Sequence, residues 1–239
     1  MPLRCVYTDL DGTLLGPGAS LFRDAERGFT LLPARALEAC HRAGVEVVLK
    51  SGRRRAQVME DARLIGQTSY IFELGAGLVI DGEVTWLADK KHEEIAATGV
   101  PERLVRDYDL EPHSPWHTER EVSHLFRGRI DADEVNARLE GLRLVDNGGI
   151  DDGRRVYHLV PAGCSKAAAV DAHMRARGYA REECIGVGDS REDAEVSPVV
   201  GEFFMVANGD PDVQGVTVTE ASYGDGFYEA VVGSLMAGR

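Results

Sequence analysis

Arg4-Cys5-Val6-Tyr7-Thr8-Asp9-Leu10-Asp11-Gly12-Thr13-Leu14-Leu15 opens as a short run of strand formers and closes on two acids beside an Asp-Gly turn signal. Such a segment reads as a buried strand that delivers carboxylates at its C-terminal end. In an open α/β sheet, ligands gather outside the carboxyl ends of the strands, so this stretch sets both a fold class and the place to look for chemistry.

Outward from it, Pro33 suits the first turn of a helix whose Ala36, Leu37, Cys40 and Ala43 follow the helical period, with Gly44 as its stop. Val45 to Lys50 reads as a strand ending at Ser51-Gly52-Arg53, Arg54 to Gly66 as a helix, and Tyr70 to Leu74 as a strand. Strand, helix, strand, helix, strand predicts a parallel sheet wound with helices. After Gly75-Ala76-Gly77 the rhythm breaks into a hairpin across Asp81-Gly82 and a more charged segment holding His92, His113, His117 and His124. Residues 83–158 read as an inserted second domain, with a half-buried strand at Glu121 to Ile130, a helix at Asp131 to Leu142, and a strand at Arg154 to Val160 returning to the core. The winding resumes with Ser165 as N-cap of a helix from Lys166 to Arg177. Strands follow at Cys184 to Val187, Glu202 to Val206 and Val216 to Thr219, then a closing helix at Phe227 to Met236. The expected organisation is a Rossmann-like core, residues 1–82 and 159–239, interrupted by an α+β insert.

Three predicted strand ends carry Asp9 and Asp11, Ser51, and Asp189 and Asp193, so these residues should converge. Together they have what phosphoryl transfer requires: an in-line nucleophile and neutralisation of charge on the phosphate oxygens. Asp9 is placed to attack phosphorus, and Asp11 to protonate the leaving oxygen and then activate water. Magnesium takes hard oxygen ligands and retains several waters, so Asp9, Asp189 and a backbone carbonyl would suffice beside the phosphate. Ser51, the Gly52 amide and Lys166 suit the remaining phosphate oxygens.

Asp9-Leu10-Asp11-Gly12-Thr13-Leu14-Leu15 resembles the first motif of the haloacid dehalogenase superfamily. Ser51-Gly52-Arg53 resembles the second, Lys166 at a helix start the third, and Gly188-Asp189-Ser190-Arg191-Glu192-Asp193 the acidic fourth. An insert between the second and third motifs is similar to the large α/β cap of the branch with sugar-phosphate phosphatases, mannosyl-3-phosphoglycerate phosphatase, sucrose-phosphate phosphatase and archaeal phosphoglycolate phosphatase. The resemblance implies a Mg2+-dependent phosphatase working through an aspartyl-phosphate on Asp9. It implies Asp11 as acid/base; Asp9, the Asp11 carbonyl and Asp189 as metal ligands; Ser51, Gly52 and Lys166 on the phosphate; and Thr13, Arg53 and Asp193 in support. The family's fourth motif usually has Asn-Asp where this chain has Glu192-Asp193, and many relatives have Glu-Asn-Gly where it has Glu73-Leu74-Gly75. Cap placement, Ser51, and the loose similarity of Gly224-Asp225-Gly226-Phe227-Tyr228-Glu229-Ala230 to one family's tail point toward a sugar phosphate or phosphoglycerate, with mannosyl-3-phosphoglycerate in front. Phosphoglycolate is the alternative substrate; a phosphomutase or a phosphate-binding module without turnover are alternatives of other classes.

Composition narrows the field further. The formal net charge of −13 over 239 residues disfavours nucleic acid and anionic membranes as partners. Cys5, Cys40, Cys164 and Cys184 form no C-x-x-C pair, so neither zinc nor a disulfide framework is indicated. The N-terminus lacks the pattern of a signal peptide and no apolar run approaches a membrane span, which together suggest a cytoplasmic enzyme acting on a small phosphorylated metabolite. The pair Gly75-x-Gly77 is not followed by the third glycine of a dinucleotide loop, because Ile80 stands there.

Overall fold

The computed structural model describes residues 2–149 and 152–238. The expected core and insert ranges also take in Met1, Ile150, Asp151 and Arg239, which lie outside the described residues. Strand β1 (Cys5–Thr8) is buried throughout. It is followed by α1 (Leu32–Ala43), β2 (Glu46–Lys50), α2 (Arg55–Leu64), β3 (Tyr70–Phe72), β4 (Gly77–Ile80) and β5 (Glu83–Trp86). A second region contains α3 (His92–Ala96), α4 (Val100–Tyr108), β6 (Glu111–Pro112), β7 (His124–Gly128), α5 (Ala132–Asn136), β8 (Leu142–Gly149) and β9 (Arg155–Pro161). The chain then forms α6 (Lys166–Arg177), β10 (Cys184–Gly188), α7 (Arg191–Ala194), β11 (Glu202–Met205), β12 (Thr217–Val218) and α8 (Tyr223–Ala237).

Two sheets result. The larger has the order β12-β11-β10-β1-β2-β3-β4-β5, parallel from β12 to β3 and antiparallel across the last two pairings. Alternation along the strands divides its core. Val6, Val47 and Leu49 pack on the face covered by α1 and α8, while Cys5, Tyr7 and Val48 pack on the face covered by α6. Helix α1 starts with proline and ends on Gly44 at φ 67°, as its sequence predicts. All four cysteines are free and buried.

The smaller sheet has the order β6-β7-β9-β8 and covers its own core of Leu104, Val122, Phe126, Leu144, Tyr157 and Leu159 among others. Here several sequence expectations are corrected. The strand expected to return to the core is β9, which lies at the centre of the small sheet between β7 and β8. The helix expected over Asp131 to Leu142 is the short α5. Asp131 caps it by accepting from the amides of Asp133 and Glu134, but Gly141 at φ 67° turns the chain into β8. The closing helix starts earlier than expected, at Tyr223. Sheet membership passes to the small sheet after Trp86 and back after Pro161, a few residues beyond the expected limits of 83 and 158. No described helix is long and apolar enough to cross a membrane.

Candidate active site

Strands β1, β2 and β10 are adjacent, so their C-terminal ends bring Asp9, Ser51 and Asp189 to one edge of the sheet. Lys166, the first residue of α6, reaches the same place. Its Nζ donates to Asp9 Oδ1 and to Asp193 Oδ1, both at 2.8 Å. Asp193 also accepts from Lys50 Nζ through the same oxygen, and from the Ser190 hydroxyl at 2.7 Å through Oδ2. Asp9, Lys166, Asp193 and Lys50 are all nearly or wholly buried, so the site contains a desolvated chain of alternating charge.

Asp11 lies across the Gly12 turn and is half exposed. Arg53 grips it with two bonds, Nε to Oδ2 at 2.7 Å and Nη2 to Oδ1 at 2.6 Å, and holds Asp61 with Nη1 at 2.8 Å. Thr13 Oγ1 donates to Asp189 Oδ1 at 3.0 Å. Gly12 is required here on two counts. Its φ is +86°, and a Cβ on it would lie 2.2 Å from Asp189 Oδ2. The Ser51 hydroxyl accepts from the Arg53 amide at 3.2 Å, which closes the turn after β2.

Burial dominates the acids' electrostatics. It pushes Asp189 up to about 8, reinforced by the charges of Asp9 and Asp193. It lifts Asp9 to about 6 although Lys166 pulls the other way. Burial would also raise Asp193, but Lys166 and Lys50 outweigh it and hold that carboxyl below the usual range. Two desolvated carboxyls thus face each other at a place with too little positive charge, and the donors are hard oxygens, which fits Mg2+. Asp9, Asp189 and Asp193 offer oxygens within 4.8 Å of one another. Asp193 is already committed to two ammonium groups and a hydroxyl, so Asp9 and Asp189 are the available pair.

The edge opens into a cavity of about 470 Å3. Asp9, Asp11, Ser51, Gly52, Arg53 and Lys166 form its floor, and His113, Trp116, Arg120, Leu125 and His158 from the second region form its opposite wall.

Residues 121–230 match the family of haloacid dehalogenase-like hydrolases. The phosphoglycolate phosphatase of Methanothermobacter thermautotrophicus is 30% identical over 237 residues, covering 96% of this chain and 97% of that protein. The chain is a haloacid dehalogenase-like hydrolase. A second relative of this hydrolase, the phosphoglycolate phosphatase of Natronomonas pharaonis, is 28% identical over 230 residues, 93% of this chain and 94% of that protein. Among solved structures, a phosphatase of the haloalkanoate superfamily from Bacteroides thetaiotaomicron superposes with a TM-score of 0.76 at 18% identity, covering 98% of this chain and 95% of that one. The sucrose-phosphatase from Synechocystis sp. PCC6803, in complex with sucrose and phosphate, gives 0.71 at 13% identity, with 98% of each chain covered. These two share the fold, and the expected fold class, family and phosphatase activity all hold.

In this hydrolase several residues matter to which the sequence reading gave no role. Lys50, at the last position of β2, is fully buried against Asp193. Glu73 is also fully buried, and accepts from the amides of Glu121, Val122 and Ser123 and from the Ser123 hydroxyl. It fastens the second region to the loop after β3. Asn208 donates to the Gly12 carbonyl at 2.9 Å and accepts from the Tyr223 amide, tying the acidic turn to α8. Gly224 of the tail motif packs where a Cβ would lie 2.9 Å from the Leu14 carbonyl, so that motif buttresses the acidic turn. Of the histidines noted in the insert, His113 lines the cavity, whereas His117 and His124 line a different one beside α4. Arg127 pairs with Glu111, Arg129 with the carbonyls of Asp152 and Gly153, and Arg155 with Asp146. The Leu74 departure is accommodated at φ 59°, and burial lifts the departing Glu192 carboxyl to about 7.

Proposed function

We propose that this hydrolase removes phosphate from a small phosphorylated hydroxy acid of the phosphoglycolate type, with Asp9 as nucleophile and Asp11 as acid/base. The observation that carries the mechanism is the contact of Lys166 with both Asp9 and Asp193 beside a second acid, Asp11, that faces the same cavity. The phosphatase-named relatives move the substrate from mannosyl-3-phosphoglycerate toward phosphoglycolate. Residues from about 87 to 164 serve as the cap that closes the cavity and excludes water.

In the first step an Asp9 oxygen bonds to phosphorus, the ester P–O bond breaks, and the leaving alkoxide takes a proton from Asp11. In the second, water attacks phosphorus while Asp11 takes its proton, and the bond between Asp9 and phosphorus breaks to release inorganic phosphate. Lys166 keeps Asp9 ionised and aimed, Asp193 and Lys50 fix Lys166, and Ser51 with the Gly52 amide holds the phosphate oxygens. Arg53 has to release Asp11 for proton transfer, and a phosphate entering beside Ser51 offers it another anion. Asp9, Asp189 and the Asp11 carbonyl would hold Mg2+, which would supply charge neutralisation on the phosphate.

The test is phosphate release from phosphoglycolate, mannosyl-3-phosphoglycerate, sucrose 6-phosphate and hexose phosphates, with and without Mg2+. Asp9→Asn should abolish turnover, and Asp11→Asn should lower it by about 100-fold or more. Phosphate moved between positions of a sugar without release would instead identify a mutase, and undiminished release by Asp9→Asn would remove the nucleophile assignment.

A further inference from the structure

Arg120 is a buried cation that no carboxylate contacts directly. It is 8% exposed, and burial lowers its pKa to about 10. Its Nε donates to the Trp116 carbonyl at 2.9 Å, and its Nη1 to the Ser123 hydroxyl at 2.9 Å and to the Gly52 carbonyl at 3.1 Å. Among the described residues it is in no ion pair. The carboxylate that acts on its charge, Glu73, already accepts four hydrogen bonds from Glu121, Val122 and Ser123. A guanidinium removed from water without a directly paired carboxylate is costly, and one held by three neutral acceptors in the wall of a substrate cavity is set to receive an anion.

Two imidazoles flank it. His158 is 2% exposed and stands within 3.1 Å of where a Cβ on Gly52 would be. His113 lines the same wall, and the Nδ1 atoms of both are buried without a hydrogen-bond partner. Burial first, then the charge of nearby Arg120 and, for His113, that of Arg127, keep both rings neutral, so each retains one N–H and one lone pair. Leu125 and Val156 complete this side of the cavity with apolar surface. The floor meets the phosphate with Lys166, Ser51 and the metal ligands, leaving the wall for the other end of the substrate.

We infer that Arg120, with His158 and His113, forms a carboxylate-reading subsite that selects phosphate esters of short hydroxy acids over esters lacking the acid group. A polyhydroxylated sugar would find one guanidinium, two neutral imidazoles and the apolar surfaces of Trp116, Leu125 and Val156 where it needs many matched donors and acceptors. A carboxylate on a short carbon chain satisfies the guanidinium, and its methylene contacts Leu125 and Val156. This inference rests on the phosphatase reading above and names its substrate class and the residues that choose it.

The experiment compares phosphoglycolate with ethyl phosphate under saturating Mg2+ for wild type, Arg120→Met, Arg120→Lys and His158→Gln. Wild type should prefer phosphoglycolate by on the order of 100-fold or more in kcat/KM, because a site with a buried charged donor rejects the ligand that leaves it unpaired. Arg120→Met should reduce that ratio by at least about 30-fold, chiefly through KM, with part of it regained in Arg120→Lys. Glycolate as a competitive inhibitor gives a second reading: Arg120→Met should raise its inhibition constant far more than that of inorganic phosphate. Equal losses on both substrates and both inhibitors would assign Arg120 to the phosphate or to the fold and overturn the subsite. Wild type that hydrolyses ethyl phosphate as well as phosphoglycolate would overturn it while leaving the phosphatase reading intact. Wild type that releases phosphate from neither, nor from any ester of the wider panel, would defeat the phosphatase reading and the subsite with it.

Discussion

Asp9 and Asp189 sit well above ordinary carboxyls because burial removes water from their charged forms. The sign of the consequence follows from proton counts. Between about pH 4 and pH 8 the metal-free fold binds protons that the unfolded chain has already released, so these two groups contribute less stability as pH rises through that window. A divalent cation offsets the repulsion of the ionised pair and competes with protons for their oxygens. Adding Mg2+ should therefore raise Tm more at pH 8 than at pH 5.5, by a difference of about 3 °C in a thermal-shift assay. Identical shifts at the two pH values would mean that the cation does not sit on these carboxyls. The motif residues were legible in the sequence because Asp9, Asp11, Ser51, Lys166, Asp189 and Asp193 stand at strand ends and a helix start in a fixed order. Lys50, Glu73, Arg120 and His158 were not. A lysine closing an apolar strand, or one arginine among many in a charged segment, carries no local mark of the partner that it meets more than forty residues away.

The elements hold these residues through close backbone approaches. Gly75 has φ +89°, and a Cβ on it would lie 2.1 Å from the Ser165 carbonyl at the start of α6. Gly75→Ala strains its own backbone and pushes on the turn that carries Lys166. We expect a loss of about 2–3 kcal/mol in urea unfolding, together with a lower kcat. A change below about 0.5 kcal/mol would show that the contact relaxes without cost. Element type was legible where the pattern was long, as in α1 and α6 with their proline, serine and glycine boundaries. It failed at α5 and β8, because acids, alanine and leucine keep a helical spacing as far as Glu140 although α5 stops at Asn136. β9 was read as a strand but assigned to the wrong sheet, since an apolar strand does not declare its neighbours.

At the scale of the molecule, a buried carboxylate is one of the links between the two sheets. Glu73 follows β3 of the large sheet and collects three consecutive amides preceding β7 of the small one. Glu73→Gln keeps one acceptor oxygen but turns an NH2 toward donors, a cost of about 1–3 kcal/mol. It should speed hydrogen exchange across residues 120–128 while the exchange of β1 and β2 stays slow, and lower kcat/KM by about 10-fold. Unchanged exchange there would show that Glu73 does not govern the link. The break in rhythm after Gly77, where the pairing of the large sheet turns antiparallel, was legible, whereas the role of the buried carboxylate was not.

The order of the large sheet also bears on how the chain is made. β1 lies between β2, which is synthesised soon after it, and β10, which arrives only when Cys184 comes opposite Cys5. Until then a nascent chain on the ribosome carries β1 with one edge unpaired and its apolar faces half covered, the kind of surface on which chaperones act. Asp9, which we propose as the nucleophile, is translated before Asp189 and Asp193, so the acids of the site come together only once β10 has paired with β1.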